Sequence, residues 1–300
     1  AVLVWKIVED RRPASLAAAG AFAAVWLSPT VILNSAAWGQ VDAMYSAFLL
    51  LAVFLMMQER PARGIAAYGA AFAIKLQSIF LLPVVALAAL RGRARTLVWI
   101  PIVFVALMLP AIALGKPVGD ALLTYGLQIG AAELLTMHAP NWYQWLPPGE
   151  SAAAWWAGVL LGAVFMLFAL WCARRWAMPW PEQVLLLACW TLAGVPFFLP
   201  RMHDRYFFPA ELLAVAFAFS RASTRPIWLL LPVALTGASL STYLPYLWRF
   251  EPVPLGWAAA VAGIAVLALT VAGVRAAGMP AIPTNLRVLL DGLWPPRARL

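Results

Sequence analysis

Long apolar stretches, separated by short groups of basic residues, dominate the pattern along this chain. Leu97–Leu114, Ala152–Ala173 and Leu255–Val274 contain no charged residue. About 20 consecutive apolar residues, at a rise of about 1.5 Å each, match the hydrocarbon thickness of a bilayer. The pattern therefore predicts an all-α fold, a polytopic transmembrane helix bundle.

The predicted membrane core covers residues 1–274 and contains about eight full spans, a partial first helix (Ala1–Val8) and a hairpin. The full spans are Ala14–Leu33, Val41–Met57, Leu97–Leu114, Ala152–Ala173, Gln183–Pro200, Tyr206–Ser220, Ile227–Leu247 and Leu255–Val274. A long loop, 115–151, precedes the fourth of these spans, and residues 275–300 form a tail.

The segment Gly64–Leu90 allows two topologies. As one tilted helix it is about 40 Å long, and the basic residues then divide 8 against 11 between the two sides. As a re-entrant hairpin or broken helix turning near Lys75–Ser78, it divides the loops 15 against 4. The positive-inside rule favours the second topology and makes the 15-charge side, with the tail, cytoplasmic. Non-helical backbone at this depth must be buried in protein or line a wet cavity.

Composition narrows the function classes. The chain is 64% apolar and 11% charged, with a net charge of +9, which excludes an ordinary soluble domain. Basic loops that orient the spans explain the charge, so we expect no nucleic-acid partner. Nucleotide-binding and zinc motifs are absent from the sequence. No resident cofactor is therefore expected, although a divalent metal remains an option, and group transfer would need an activated lipid-linked donor.

Three polar residues, Asn34, Gln40 and Asp42, lie at the non-cytoplasmic mouth of two spans. Amides and carboxylates together supply the donors and acceptors that sugar hydroxyls require. The alternative is helix capping by Asp42, which stabilises a helix by about 1 kcal/mol. These residues are candidates for binding a sugar or acceptor.

Lys75 and Gln77 lie in the middle of an apolar segment. A charge at membrane depth is costly, so an ionisable residue there indicates function unless it snorkels or pairs structurally. The ammonium group of Lys75 suits a phosphate, and Gln77 is a candidate sugar ligand.

The segment Arg201-Met202-His203-Asp204-Arg205-Tyr206 places basic residues on the side that has few of them. Two arginines and a histidine at a membrane boundary are typical of a site for an anionic lipid headgroup. Asp204 pairing with either arginine is the structural alternative. In the loop 115–151, His138 and Asn141 are further candidates, among aromatic residues of the kind that anchor at interfaces.

The order of these segments resembles one enzyme group. Asn34–Asp42, Phe72–Gln77 with Pro83, Ala139-Pro140-Asn141 and Met202–Tyr206 together are similar to the bacterial Gpi18-like mannosyltransferase group of the C-type (GT-C) membrane glycosyltransferases. The resemblance implies a GT-C-like helical fold in the bacterial inner membrane. It also implies transfer of a sugar, mannose or another hexose, from a polyprenyl-phosphate donor to a glycan, lipid or protein acceptor on the periplasmic face.

The resemblance also assigns roles. The main catalytic carboxylate of the group lies in a first non-cytoplasmic loop that would precede Ala1, so we expect the chain to be N-terminally incomplete. Asp42 is the candidate to position substrate or assist that base, and Asp204 stands where the group usually has Glu. Lys75, Arg201, His203 and Arg205 are candidates for donor phosphate, with Asn34, Gln40, Gln77, His138, Asn141, Asp204 and Tyr206 for sugar or acceptor.

Two other classes remain open at this point. A transporter or flippase of lipid-linked sugars would share the cavity and the phosphate-binding cations, but secondary transporters usually carry internal repeats, and none is visible here. A structural subunit of a cell-envelope assembly is the third class.

Overall fold

A computed structural model describes residues 1–126, 134–146 and 152–278. Nearly all of its regular structure is helical. The helices that form the bundle are α1 (Val2–Arg11), α2 (Leu16–Trp26), α3 (Pro29–Ile32), α4 (Asp42–Met57), α5 (Pro61–Ile74), α6 (Leu82–Ala88), α7 (Trp99–Ala113), α8 (Val118–Leu122), α9 (Ala152–Ala173), α10 (Trp180–Phe198), α11 (Phe208–Arg221), α12 (Leu230–Trp248) and α13 (Leu255–Ala276).

Short irregular helical turns connect several of these elements. They are the π-helical turns Leu33–Ala37 and Ala89–Arg93 and the 3₁₀ turns Leu76–Leu81, Ala94–Val98, Trp142–Trp145 and Pro226–Leu229. Two strands of two residues each, β1 (Thr136–Met137) and β2 (Met202–His203), pair in parallel. This pairing was not predicted, because two residues carry no periodic signal.

Five helical stretches of the described chain are long and apolar enough to cross a membrane: Leu76–Ala113 (which is kinked at Arg91 and Gly92), Ala152–Ala173, Trp180–Phe198, Pro226–Trp248 and Leu255–Ala276. Leu16–Trp26 and Pro29–Ala37, bent by 47°, make a sixth if they count as one span. The predicted all-α polytopic class is therefore confirmed.

Two predicted spans are shorter in the structure. Val41–Met57 becomes α4, with 16 residues, and Tyr206–Ser220 becomes α11, with 14 residues. The count of eight full spans stays a prediction. The last helix runs to Ala276, two residues beyond the predicted end; most of the predicted tail, and parts of the loop 115–151, lie outside the described residues.

The segment after α5 forms the predicted broken hairpin. Helix α5 ends at Ile74, and Lys75 takes an extended conformation (φ −154°, ψ 129°). The chain then returns and leaves helical geometry again at Arg91 and Gly92, where Gly92 has φ +80°. The Arg93 guanidinium lies 3.5 Å from the Glu59 carbonyl oxygen, so both ends of the hairpin lie at one end of the bundle. Lys75 lies at the other end.

The basic residues of the described chain lie unequally at the two ends of the bundle. At the end of the bundle that contains both ends of the hairpin lie Arg11, Arg12, Arg60, Arg63, Arg91, Arg93, Arg95, Arg174, Arg175, Arg221, Arg225 and Arg275. At the opposite end lie Lys116, Arg201, Arg205 and Arg249. The structure therefore divides the basic residues of the described chain as the hairpin topology predicts, and the assignment of the arginine-rich end to the cytoplasm stays a prediction from the positive-inside rule. We refer to the two ends as the arginine-rich end and the opposite end.

Helix α10 is the central element of the bundle. It is buried along most of its length and packs against α9, α11, α13 and α4. Trp190 is fully buried there, and its indole N–H donates to the Thr270 hydroxyl at 2.9 Å. Because α10 is central, the loop that follows it lies among the other helix ends at the opposite end of the bundle, where the candidate site forms.

Candidate functional site

The site lies at the opposite end of the bundle, where three segments meet. Helix α4 begins there with Asp42, α5 ends there before Lys75, and the loop between α10 and α11 contributes Arg205. Gly39, with φ +66°, makes the turn that leads into α4, because glycine adopts the left-handed region without a Cβ penalty. The turn places Asp42 inside the bundle.

Asp42 is fully buried and bound on both oxygens. Its Oδ1 pairs with the Lys75 ammonium. Its Oδ2 accepts a hydrogen bond from the Asn34 amide at 3.1 Å and lies 3.5 Å from Nε of Arg205. Buried ions are tolerated when they are paired and hydrogen-bonded. Asp42 is the first residue of α4 and makes no side-chain capping bond, so the capping alternative is not what the structure shows.

Aromatic rings surround the two cations. The Lys75 ammonium lies 5.1 Å from the centroid of the Tyr45 ring and 5.0 Å from that of Tyr206. The Arg205 guanidinium lies 5.2 Å from the centroid of Trp38. Cations within about 6 Å of a ring centroid are attracted by its quadrupole. The rings therefore stabilise cations that have left bulk water, and about a fifth or less of each cationic side chain is exposed.

The short parallel pairing holds the loop after α10. The Arg201 amide donates to the Leu135 carbonyl at 2.7 Å, and the Asp204 amide to the Met137 carbonyl at 3.1 Å. An isolated antiparallel β-bridge also joins the backbones of His138 and His203. These backbone contacts join residues 135–138 to the loop before α11 at the site.

Asp204 and His203 have perturbed acidities in this loop. Burial raises the pKa of Asp204 to about 6, although the neighbouring Arg205 opposes the shift. Burial, with Arg205 and Lys75 nearby, lowers the pKa of His203 to about 4. Both shifts follow from desolvation, which disfavours the charged form of either group. Near neutral pH the imidazole is therefore uncharged.

The structure brings most of the predicted residues together. Asp42, Lys75, Arg205 and Asn34 are in contact, and Asp204 lies 3.5 Å from Nη1 of Arg205. Tyr206 joins this group through Lys75. Its ring also packs edge-on against His203, with centroids 5.2 Å apart, and its hydroxyl interacts with Gln77.

Three predicted residues are placed differently. The Arg201 guanidinium lies over the Trp155 ring, 5.2 Å from its centroid, rather than beside Asp42. Asn141 is fully buried, and its amide atoms make no hydrogen bond within the described chain. Gln40 is half-buried, and its backbone N–H donates to the backbone carbonyl of Asn34 at 2.9 Å.

Asp42 itself is too enclosed to reach an acceptor hydroxyl, so its geometry fits positioning rather than proton transfer.

Sequence reasoning missed the aromatic residues Trp38 and Tyr45 and the buried Tyr243, which lies 3.5 Å from the Asn34 amide. It also missed Glu211, a buried carboxylate within α11 that accepts a hydrogen bond from the Thr30 hydroxyl. An acidic residue inside an apolar span is an available signal for Glu211. No sequence signal singles out Trp38, Tyr45 or Tyr243, because aromatic residues are common at membrane interfaces.

Fold and site together define an all-α, multi-pass membrane protein with a buried, paired-charge cluster at one end of its bundle. No protein-family model, curated protein or solved structure matches the chain. Within the described residues, no group of three His, Cys, Asp or Glu side chains is arranged to hold a metal ion.

Proposed function

We propose that this protein is a membrane glycosyltransferase that moves a sugar, mannose or another hexose, from a polyprenyl-phosphate donor to an acceptor on the extracytoplasmic face of the membrane. One observation carries the proposal: two cations from separate segments, Lys75 and Arg205, converge on one buried carboxylate, Asp42, at the predicted extracytoplasmic end of a helical bundle. The family resemblance of the sequence supplies the reaction class.

The two cations suit a phosphate that gains charge. In the proposed reaction the acceptor hydroxyl oxygen attacks the anomeric carbon and the bond from that carbon to the phosphate oxygen breaks. The bonding pair leaves with the polyprenyl phosphate. Preorganised cations lower the barrier by stabilising the charge that develops on this leaving group. The acceptor proton passes to a carboxylate base, which the family resemblance places outside this cluster.

Asp42 has a positioning role in this proposal. Because it holds Lys75 and Arg205 at fixed places, they need no reorganisation when the donor arrives. The side-chain amide oxygen of Asn34, Oδ1, is buried without a hydrogen-bond partner among the described residues. Such an acceptor suits a buried water molecule, since an unmade buried hydrogen bond is costly.

The proposal predicts that the two cations are needed for donor use. Liposomes containing the full-length protein are supplied with radiolabelled polyprenyl-phosphate-mannose and candidate acceptors, and transferred label is counted. We expect Lys75→Met and Arg205→Met each to lower transfer by roughly 100-fold or more, the range seen when one charge-stabilising donor is removed. Lys116→Met is the matched control, because Lys116 is an exposed basic residue at the same end.

Two outcomes contradict the proposal. Absence of transfer, combined with facilitated movement of the labelled lipid across the bilayer, would identify a flippase. Normal transfer by both Met variants would remove the phosphate role from Lys75 and Arg205.

A further inference from the structure

A large cleft is present at the arginine-rich end of the bundle. A cleft of about 1120 Å³ opens there between α10, α11, α12 and α13. Its walls are apolar and include Leu186, Phe217, Trp228, Ile264 and Val271. The cleft lies at the end of the bundle opposite to Asp42, so it is separate from the cluster described above.

Arginine side chains surround the mouth of this cleft. Arg11, Arg221, Arg225 and Arg275 line it, with Glu182 as the one acidic residue among its lining residues in the described chain. Glu182 is shared: its Oε1 pairs with Arg11, and its Oε2 lies 3.7 Å from Nη2 of Arg221. Four guanidinium groups against one carboxylate leave the mouth with a net positive charge of three.

Two of these arginines are exposed. Arg225 follows the end of α11, and Arg275 lies in the last turn of α13. They belong to different elements, and both line the cleft. Guanidinium groups bind phosphate oxygens in bidentate fashion, with paired N–H donors.

We propose that this cleft binds one membrane phospholipid with an anionic headgroup, its phosphate at the arginine mouth and an acyl chain along the apolar walls. Basic pockets between transmembrane helices on the cytoplasmic side are a known means of recognising anionic headgroups. The charge of the mouth selects an anion, and the apolar walls below it select a lipid rather than a free phosphate ion. The bound lipid fills a gap between four helices, so it also stabilises their packing.

Native mass spectrometry of the purified full chain tests this proposal. The protein is incubated with phosphatidylglycerol or with phosphatidylcholine of the same acyl chains, and one-to-one adducts are counted. We expect at least a tenfold preference for phosphatidylglycerol, and a loss of fivefold or more of that adduct in Arg225→Gln/Arg275→Gln. An excess of inorganic phosphate should not displace the lipid.

Two further variants separate the cleft from general surface charge. Arg60→Gln/Arg63→Gln removes the same charge from exposed residues at the same end and should retain the adduct. Ala268→Trp narrows the apolar part of the cleft without changing charge, and should lose it. Unfolding temperatures measured in lipid-free detergent show whether each variant is folded.

Several results would overturn the proposal. One is equal retention of the two lipids by the wild-type chain. Another is equal loss in the Arg225/Arg275 and Arg60/Arg63 double variants, which would indicate only a general attraction to anionic surfaces. Displacement by inorganic phosphate would indicate an ion site instead.

Discussion

Asp42 is enclosed by residues that are distant from one another in the chain. Asn34 is the nearest in sequence, Lys75 follows the end of α5, and Arg205 comes from the loop before α11. Each cation has left bulk water, and the carboxylate compensates part of that cost. Removing one partner therefore harms the site more than removing a pair.

Replacing Asp42 by Asn tests this coupling. The variant removes the carboxylate that pairs with Lys75 and leaves Arg205 with Asp204 alone, so we expect a loss of about 3–5 kcal/mol in the free energy of unfolding. Combining Asp42→Asn with Lys75→Met should cost less than the sum of the single changes, because the second change removes one uncompensated charge.

Thermal or denaturant unfolding in detergent measures these changes. Asp120→Asn is the control, since Asp120 is exposed at the same end of the bundle, and its effect should stay within about 0.5 kcal/mol. Strict additivity of Asp42→Asn and Lys75→Met would contradict the structure at this point.

Asp204 and His203 make opposite contributions to the pH dependence of stability. The pKa of Asp204 rises from 3.8 to about 6 on folding, so its contribution is present below pH 4 and is lost as the pH rises to about 6. The pKa of His203 falls from 6.5 to about 4, so its contribution is present above pH 6.5 and is lost as the pH falls.

Single variants should separate the two contributions. In His203→Gln only Asp204 still contributes, so the unfolding temperature should fall as the pH rises from 4 to 6. The corresponding loss in the free energy of unfolding is at most about 3 kcal/mol. In Asp204→Asn it should fall as the pH drops from 6.5 to 4. The double variant should lack both trends. Wild-type profiles in both single variants would show that the two groups do not titrate as described.

At the scale of the element, the hairpin formed by α5 and the returning segment to Ala88 is the feature on which the predicted topology depends. Its first half, Pro61–Ile74, is helical, and Lys75 breaks the helix with extended backbone. Its return leads to Arg93, beside the Glu59 carbonyl. The hairpin therefore carries one lysine to the far end of the bundle while both of its ends stay among arginines.

Cysteine labelling in sealed vesicles tests this topology. With membrane-impermeant reagent added on one face, Ala62→Cys and Gly92→Cys should label from the same face, because they lie at the two ends of the hairpin. Ala36→Cys, which is exposed at the opposite end, should label from the other face and serves as the control. Labelling of positions 62 and 92 from opposite faces would show that the segment crosses the membrane.

For the whole molecule, helix α7 shows the kind of surface that the bundle presents to its surroundings. Helix α7 has no buried residue, packs mainly on α5, and exposes apolar side chains such as Ile102, Val105 and Leu109. In a soluble protein such a face would be covered by other protein, whereas in this protein we expect lipid to cover it. We therefore expect the folded bundle to require a bilayer around its apolar surface.

A charge on this face should oppose insertion. Val105→Arg places a guanidinium near the centre of α7, and we expect a cost of about 2.5–3.5 kcal/mol for insertion of that helix. The fraction of chain that resists alkaline extraction from membranes measures it. Val105→Leu should match the wild type, and full insertion of the Arg variant would indicate that α7 does not face lipid.

The predictable part of the site consists of its charged residues. Lys75 and Arg205 are conspicuous because each contradicts a bias: one lies inside an apolar segment and the other on the side with few basic residues. Trp38 and Tyr45 are not conspicuous, since aromatic residues occur throughout such chains. Arg201 has the same sequence signal as Arg205, yet its side chain lies over Trp155. Sequence position cannot distinguish two arginines four residues apart, because the fold of the loop decides where each side chain points.

The amino-acid sequence by itself determined the helical membrane class and the break at Lys75, and its basic residues predict an orientation. These follow from the cost of placing charge and open backbone in hydrocarbon, which acts on local segments. Only the tertiary structure decided that Asp42 is enclosed by Lys75, Arg205 and Asn34, and that an arginine-rimmed cleft opens at the other end. Those arrangements depend on which helices pack together, and packing joins residues that no local pattern relates.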